Sequence, residues 1–85
     1  MTTIMYFSAA WCGPCRVFGP VMDSVSQDLG ISVQKIDVDA SRDLTDKYQI
    51  RSVPTLIFER DGEIVHRQMG AMGKQQLVSL IQSKM

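Results

Sequence analysis

The chain has only two cysteines, Cys12 and Cys15, with Gly13 and Pro14 between them, and no other feature constrains its fold as much. A disulfide used as a staple joins distant segments. For so small a ring the loop-entropy relation gives about 2 kcal/mol, an upper figure because short rings strain the bond. A structural zinc site takes about four ligands, and beyond the two thiols this chain offers one imidazole, His66, so zinc would require a second molecule. A redox pair is favoured over either use. The flanking sequence suits one. Ile4-Met5-Tyr6-Phe7 is an apolar run without alternation, as in a strand covered on both faces. Ser8 to Trp11 read as the loop that follows. Pro14 fits the first turn of a helix, where its missing N–H costs nothing. Cys12 then lies at a helix start, where unpaired N–H groups and the macrodipole favour a thiolate, the attacking species. Cys15 lies one turn in and is expected to be the less exposed of the two.

The remaining pattern gives one α/β domain over residues 1–85, a length that allows no second core. Val17, Phe18, Val21, Met22, Val25 and Leu29 recur at helical spacing, Pro20 should kink that helix, and Gly30 should stop it. Ile31 to Asp39 reads as a second strand, with Ile31 and Val33 on one face and Ile36 and Val38 on the other. Ser41 can cap a short helix to about Tyr48 that places Leu44 and Tyr48 together. Pro54 to Arg60 is a third strand, Asp61-Gly62 a hairpin turn, and Glu63 to Met69 the returning strand. Gly70 to Gly73 form a junction before a last helix over 74–84, striped by Leu77, Leu80 and Ile81. The order β-α-β-α-β-β-α implies a four-stranded mixed sheet with helices on both faces: a parallel first pair joined by a right-handed crossover, and an antiparallel last pair.

Nine basic and nine acidic residues leave no net charge, so nothing electrostatic points to nucleic acid or an anionic membrane. No apolar stretch is long enough to span a bilayer, and Met1-Thr2-Thr3-Ile4 does not read as a signal peptide, so a cytoplasmic location is expected. No nucleotide-binding glycine pattern is present. Asp37, Asp39 and Asp43 are too scattered for a metal cage and read as edge and loop charge, the six Met residues as core filler, and His66 as a solvated or packing residue of the hairpin.

Ala10-Trp11-Cys12-Gly13-Pro14-Cys15-Arg16 resembles the active-site motif of thioredoxins. The resemblance continues in order through Phe7, Pro20, Lys35-Ile36-Asp37-Val38-Asp39, Ile50-Arg51-Ser52-Val53-Pro54-Thr55, Asp61-Gly62-Glu63 and Gly70-Ala71. It implies a minimal thioredoxin-like fold and a protein disulfide reductase with no bound cofactor. Cys12 resembles the nucleophile and Cys15 the resolving cysteine, which together cycle a Cys12–Cys15 disulfide. Trp11, Gly13 and Pro14 resemble the surface around the sulfur. Val53-Pro54 resembles the loop with a cis proline, which with Gly70-Ala71 forms the groove for an extended client segment. The implied partners are disulfide-containing client proteins and a thioredoxin reductase that passes electrons from NADPH, with the chain itself a monomer.

The sequence also departs from that pattern. A usual thioredoxin has a further strand and helix before the point where this sequence begins, so the Ile31–Asp39 strand should be a sheet edge, protected by Lys35, Asp37 and Asp39. Tyr6 stands where the family usually has a buried aspartate near the resolving cysteine, and Ser8 where a second tryptophan is frequent. Tyr6 is expected to pack under the active site. Lys35 falls where the family often has a lysine near that aspartate; it either favours a Cys15 thiolate by charge or turns out to solvent. Two rivals remain. A glutaredoxin-like, glutathione-dependent reductase is favoured by the short length and opposed by Trp11-Cys12-Gly13-Pro14-Cys15 and by the absence of a Gly-Gly pair near Gly70. A thioredoxin-fold binding subunit would leave its thiols incidental.

Overall fold

In a computed structural model, which describes residues 2–85, the elements follow in the expected order. Met1 lies outside the described residues, so the expectation about that end of the chain is followed only from Thr2. The strands are β1 (Thr2–Ser8), β2 (Val33–Asp37), β3 (Thr55–Arg60) and β4 (Glu63–Met69); the helices are α1 (Gly13–Leu29), α2 (Arg42–Lys47) and α3 (Lys74–Lys84). One mixed sheet runs β2-β1-β3-β4. β1 pairs parallel with β2, from Ile4 opposite Val33 to Ser8 opposite Asp37, and antiparallel with β3. β3 and β4 form the antiparallel hairpin. Asp61 and Gly62 turn it with φ of 53° and 83°, the pair of positive values a tight two-residue hairpin requires.

The unalternated run in β1 has the cause inferred for it. Ile4 and Tyr6 face one apolar cluster with Phe18, Met22 and Val25 of α1, Leu56 and Phe58 of β3, and Leu77 and Ile81 of α3. Met5 and Phe7 face a second cluster with Ile36, Val38, Tyr48 and Ile57, and it includes Cys12 and Cys15. A strand buried on both faces cannot alternate. Helices α1 and α3 therefore cover one face and α2, with the segment after it, the other. Lys74 joins the two helices on the first face, with its Nζ 2.7 Å from Asp28 Oδ2 and 3.0 Å from Ser24 Oγ.

Element ends differ from the sequence pattern where hydrogen bonding decides them. β1 begins at Thr2 because Thr2 and Thr3 still pair with Arg60 and Glu59. β2 is shorter than Ile31–Asp39. The amide of Ile31 closes the end of α1 on the Ser26 carbonyl at 3.0 Å, and at the other end Asp37 Oδ1 takes the Asp39 amide at 2.8 Å and turns the chain. Gly30 ends α1 with φ 64°, a left-handed position that favours glycine.

Candidate active site

The site lies where β1 hands over to α1. Cys12 is the N-cap of α1, with extended backbone (φ −85°, ψ 110°) and Pro14 in the first turn. The Cys15 amide donates to Cys12 Sγ at 3.2 Å, so the first cysteine takes up one of the helix's otherwise unpaired N–H groups through its sulfur. The two cysteines are joined as a disulfide with Cα atoms 5.3 Å apart. Gly13 and Pro14 are exposed.

Exposure does not separate the two cysteines. Cys12 is 4% and Cys15 7% accessible, contrary to the expectation that Cys12 would be the more exposed. In the closed ring both residues pack into the second apolar cluster, and the loop carrying Val53 comes down beside Cys12. Their difference lies in polar surroundings: Cys12 Sγ has the Cys15 amide at 3.2 Å and the Val53 carbonyl oxygen at 3.7 Å.

Val53–Pro54 is a cis peptide bond. Pro54 is buried, and its carbonyl accepts from the Gly70 amide at 2.9 Å. That bond brings Gly70, at φ 91°, and the exposed Ala71 alongside the Val53-Pro54 segment. Trp11 is 67% accessible, yet its indole N–H donates to Asp39 Oδ2 at 2.9 Å. An open groove of about 250 Å³ lies beside it, with Trp11, Asp39, Arg42, Ile50, Arg51 and Val53 among its walls. Sequence reasoning gave Asp39 only a charge at a strand edge. Its partner is 28 positions away, a separation at which sequence carries no pairing signal.

Tyr6 reaches beneath the first turns of α1. Its hydroxyl donates to the Cys15 carbonyl oxygen at 3.5 Å, and its ring meets Phe18 edge-on at 5.7 Å. Burial raises the phenol's pKa above its ordinary value; the Ser8 hydroxyl counteracts this in part and the Asp23 charge adds to it. Lys35, opposite Tyr6 in register, pairs with Asp23 of α1. Both side chains are about half exposed, so of the two outcomes weighed for Lys35 the structure has the one at solvent. Among the described residues no group of three or more Cys, His, Asp or Glu side chains is placed to hold a metal.

A sulfur pair capping a helix N-terminus and closing a four-residue ring is built for reversible exchange between dithiol and disulfide, and it defines a thiol–disulfide oxidoreductase. A family model described as Thioredoxin matches residues 1–83. The chain is 38% identical over 79 residues to a thioredoxin of Mycoplasmoides gallisepticum, which covers 92% of this chain and 79% of that one. It is 39% identical over 77 residues to thioredoxin of Bacillus subtilis, covering 88% and 74%. A solved mutant thioredoxin from Halobacterium salinarum NRC-1 superposes with a TM-score of 0.88 at 37% identity, covering 98% of this chain and 74% of that one. The chain belongs to the thioredoxin family. Its activity is thiol–disulfide exchange, a chemistry that in this family needs no bound cofactor and implies disulfide-bearing clients and a reductase.

Proposed function

We propose that this protein is a single-domain disulfide reductase in which Cys12 attacks and Cys15 resolves. The observation that carries the assignment is the Cys15 amide on Cys12 Sγ at 3.2 Å. At a helix N-terminus that N–H and the macrodipole favour negative charge on Cys12 over its partner. In the dithiol form the Cys12 thiolate attacks one sulfur of a client disulfide. A Cys12–client bond forms, and the other client sulfur leaves with the electron pair and takes up a proton. Cys15 then attacks Cys12; the Cys12–Cys15 bond forms and the second client sulfur leaves reduced.

Clients approach over Trp11, Gly13 and Pro14, and an extended segment lies along Val53-Pro54 and Gly70-Ala71. The Val53 carbonyl so close to Cys12 supports this reading, because a backbone acceptor beside the reacting sulfur can align a client strand. The dithiol is restored by an NADPH-dependent thioredoxin reductase acting on a monomer in the cytoplasm. The bacterial thioredoxins among the relatives support that setting.

Insulin reduction with two alternative electron sources tests the donor. The expected result is turnover with thioredoxin reductase and NADPH and little with glutathione and glutathione reductase. Turnover with glutathione alone would assign the protein to the glutaredoxin-like mode.

A further inference from the structure

Tyr6 meets Cys15 at its main chain and not at its sulfur. Tyr6 is 3% accessible and its ring is fixed edge-on against Phe18. Its hydroxyl donates to the carbonyl of Cys15, and a Cβ built at Gly19 would stand 3.9 Å from the Tyr6 hydroxyl oxygen. The phenol thus braces the main chain of the turn that carries Cys15. The Cys15 side chain belongs to the other apolar cluster, with Met5, Phe7 and Ile36.

The charges around Cys15 make this contact informative. β1 carries one titratable side chain, Tyr6, which lies in the first cluster and reaches only the Cys15 main chain; Met5 and Phe7, which share the Cys15 cluster, carry no charge. Apart from the cysteines, the titratable group of that cluster is Tyr48, whose hydroxyl is committed to Glu59 Oε2 at 2.6 Å. On α1 the neighbouring Arg16 is exposed, and Asp23 is paired with Lys35 of β2 near solvent. Val53 and Pro54, and Leu77 and Ile81 of α3, carry no charge. Apart from tyrosine and cysteine, the buried set among the described residues holds one polar side chain, Thr55, and no carboxylate. Thr55 Oγ1 is itself bonded to the Ser52 carbonyl at 2.7 Å.

We propose that Tyr6 is a positioning residue for Cys15, acting on the resolving step through the main chain, and that the Cys15 proton leaves to solvent with no buried base to receive it. The proposal rests on the reading of Cys15 as the resolving cysteine. In that step the Cys15 thiol gives its proton to water or a buffer base. Its sulfur attacks Cys12 in the mixed disulfide, the Cys12–Cys15 bond forms, and the client sulfur departs with the electron pair and is protonated. Tyr6 stays neutral where thiols titrate, since burial holds its ionisation above the ordinary phenol range. It can brace the turn throughout but cannot serve as the base.

Stopped-flow reaction of the reduced protein with Ellman's reagent separates the steps, because the first thionitrobenzoate released reports attack and the second reports resolution. Tyr6→Phe keeps the ring and removes the hydroxyl. The expected result is an unchanged first phase and a second phase slowed about two- to fivefold, the range for one long hydrogen bond, at every pH. Both proteins should show a single ionisation in the second phase, that of the Cys15 thiol. Equal second phases would remove the positioning role, and so would equal slowing of both phases. A further ionisation below that of the thiol in the unsubstituted protein would show that a base within the protein takes the proton. If the unsubstituted protein gave no second phase at all, the assignment of Cys15 as resolving cysteine would fail instead.

Discussion

The indole N–H of Trp11 donates to Asp39 Oδ2 at 2.9 Å, so the residue before the first cysteine is fixed to the turn that follows β2. Asp37 shapes that turn by accepting the Asp39 amide at 2.8 Å. Trp11 is 67% accessible, and a large exposed ring beside a reactive sulfur contacts clients best when its orientation is set in advance. Asp39→Ala should raise the KM for a protein disulfide about two- to fivefold, the scale of one such bond, with kcat little changed. Trp11 is the only tryptophan, so fluorescence excited beyond the tyrosine absorption band reports it alone, and its anisotropy should fall in the variant. Unchanged anisotropy and KM would mean that the bond does not orient the ring.

In the reduced protein Cys12 should be alkylated first and Cys15 slowly. The two residues are equally buried when oxidised, so the difference arises from the Cys15 amide and the helix N-terminus that stabilise the Cys12 thiolate. Peptide mapping after limiting iodoacetamide reads the order directly. Cys15→Ser should accumulate a covalent Cys12–client species visible on non-reducing gels. Equal labelling of both cysteines would contradict the electrostatic asymmetry.

Both tyrosines should titrate above the ordinary phenol value of about 10. Burial is the leading cause for Tyr6. For Tyr48 it is the hydrogen bond to Glu59, then burial, then the Glu59 charge. Well below pH 10 both phenols are protonated whether the chain is folded or not, and their contribution to stability is whole. As pH rises past 10 the unfolded chain loses its phenolic protons first, so stability falls. Urea melts across that range should show the decline, and Tyr6→Phe and Tyr48→Phe should each flatten it. Glu59→Gln keeps an acceptor for Tyr48 and removes the charge, which should bring the absorbance titration of that phenol back toward its ordinary value.

Phe58 is fully buried and fills the cluster between the sheet, α1 and α3. Phe58→Ala should cost about 3–5 kcal/mol. Total stability in a domain of this size is on the order of 5–10 kcal/mol, so the variant should melt far below the parent by circular dichroism. A small loss would mean that the two helices close over the cavity.

The fold was readable because its signals are local. The double-faced burial of Ile4 to Phe7, the stop at Gly30 and the turn at Asp61-Gly62 each follow from composition over a few residues. The cysteine pair was readable for the same reason, its spacing and Pro14 being local. Long-range pairings were not. Trp11 finds Asp39, Tyr48 finds Glu59 and Lys35 finds Asp23, and each joins residues brought together only by sheet register and helix packing. The equal burial of Cys12 and Cys15 was hidden likewise, since it depends on the Val53-Pro54 segment approaching from 41 positions away. The place of Tyr6 beneath the site is legible because successive side chains of a strand point to opposite faces, which sets Tyr6 apart from Phe7. That its hydroxyl meets the Cys15 carbonyl depends on how α1 packs over β1, nine positions away in the chain, which no spacing in the sequence records.

The most direct test of the account is steady-state reduction of insulin by the unsubstituted protein, Cys12→Ser, Cys15→Ser and the double variant, with thioredoxin reductase and NADPH supplying electrons. The account predicts turnover only in the unsubstituted protein, with Cys15→Ser stalled at a mixed disulfide and both proteins lacking Cys12 inert. Turnover retained by the double variant would contradict it, because the reduction would then not pass through this pair of sulfurs.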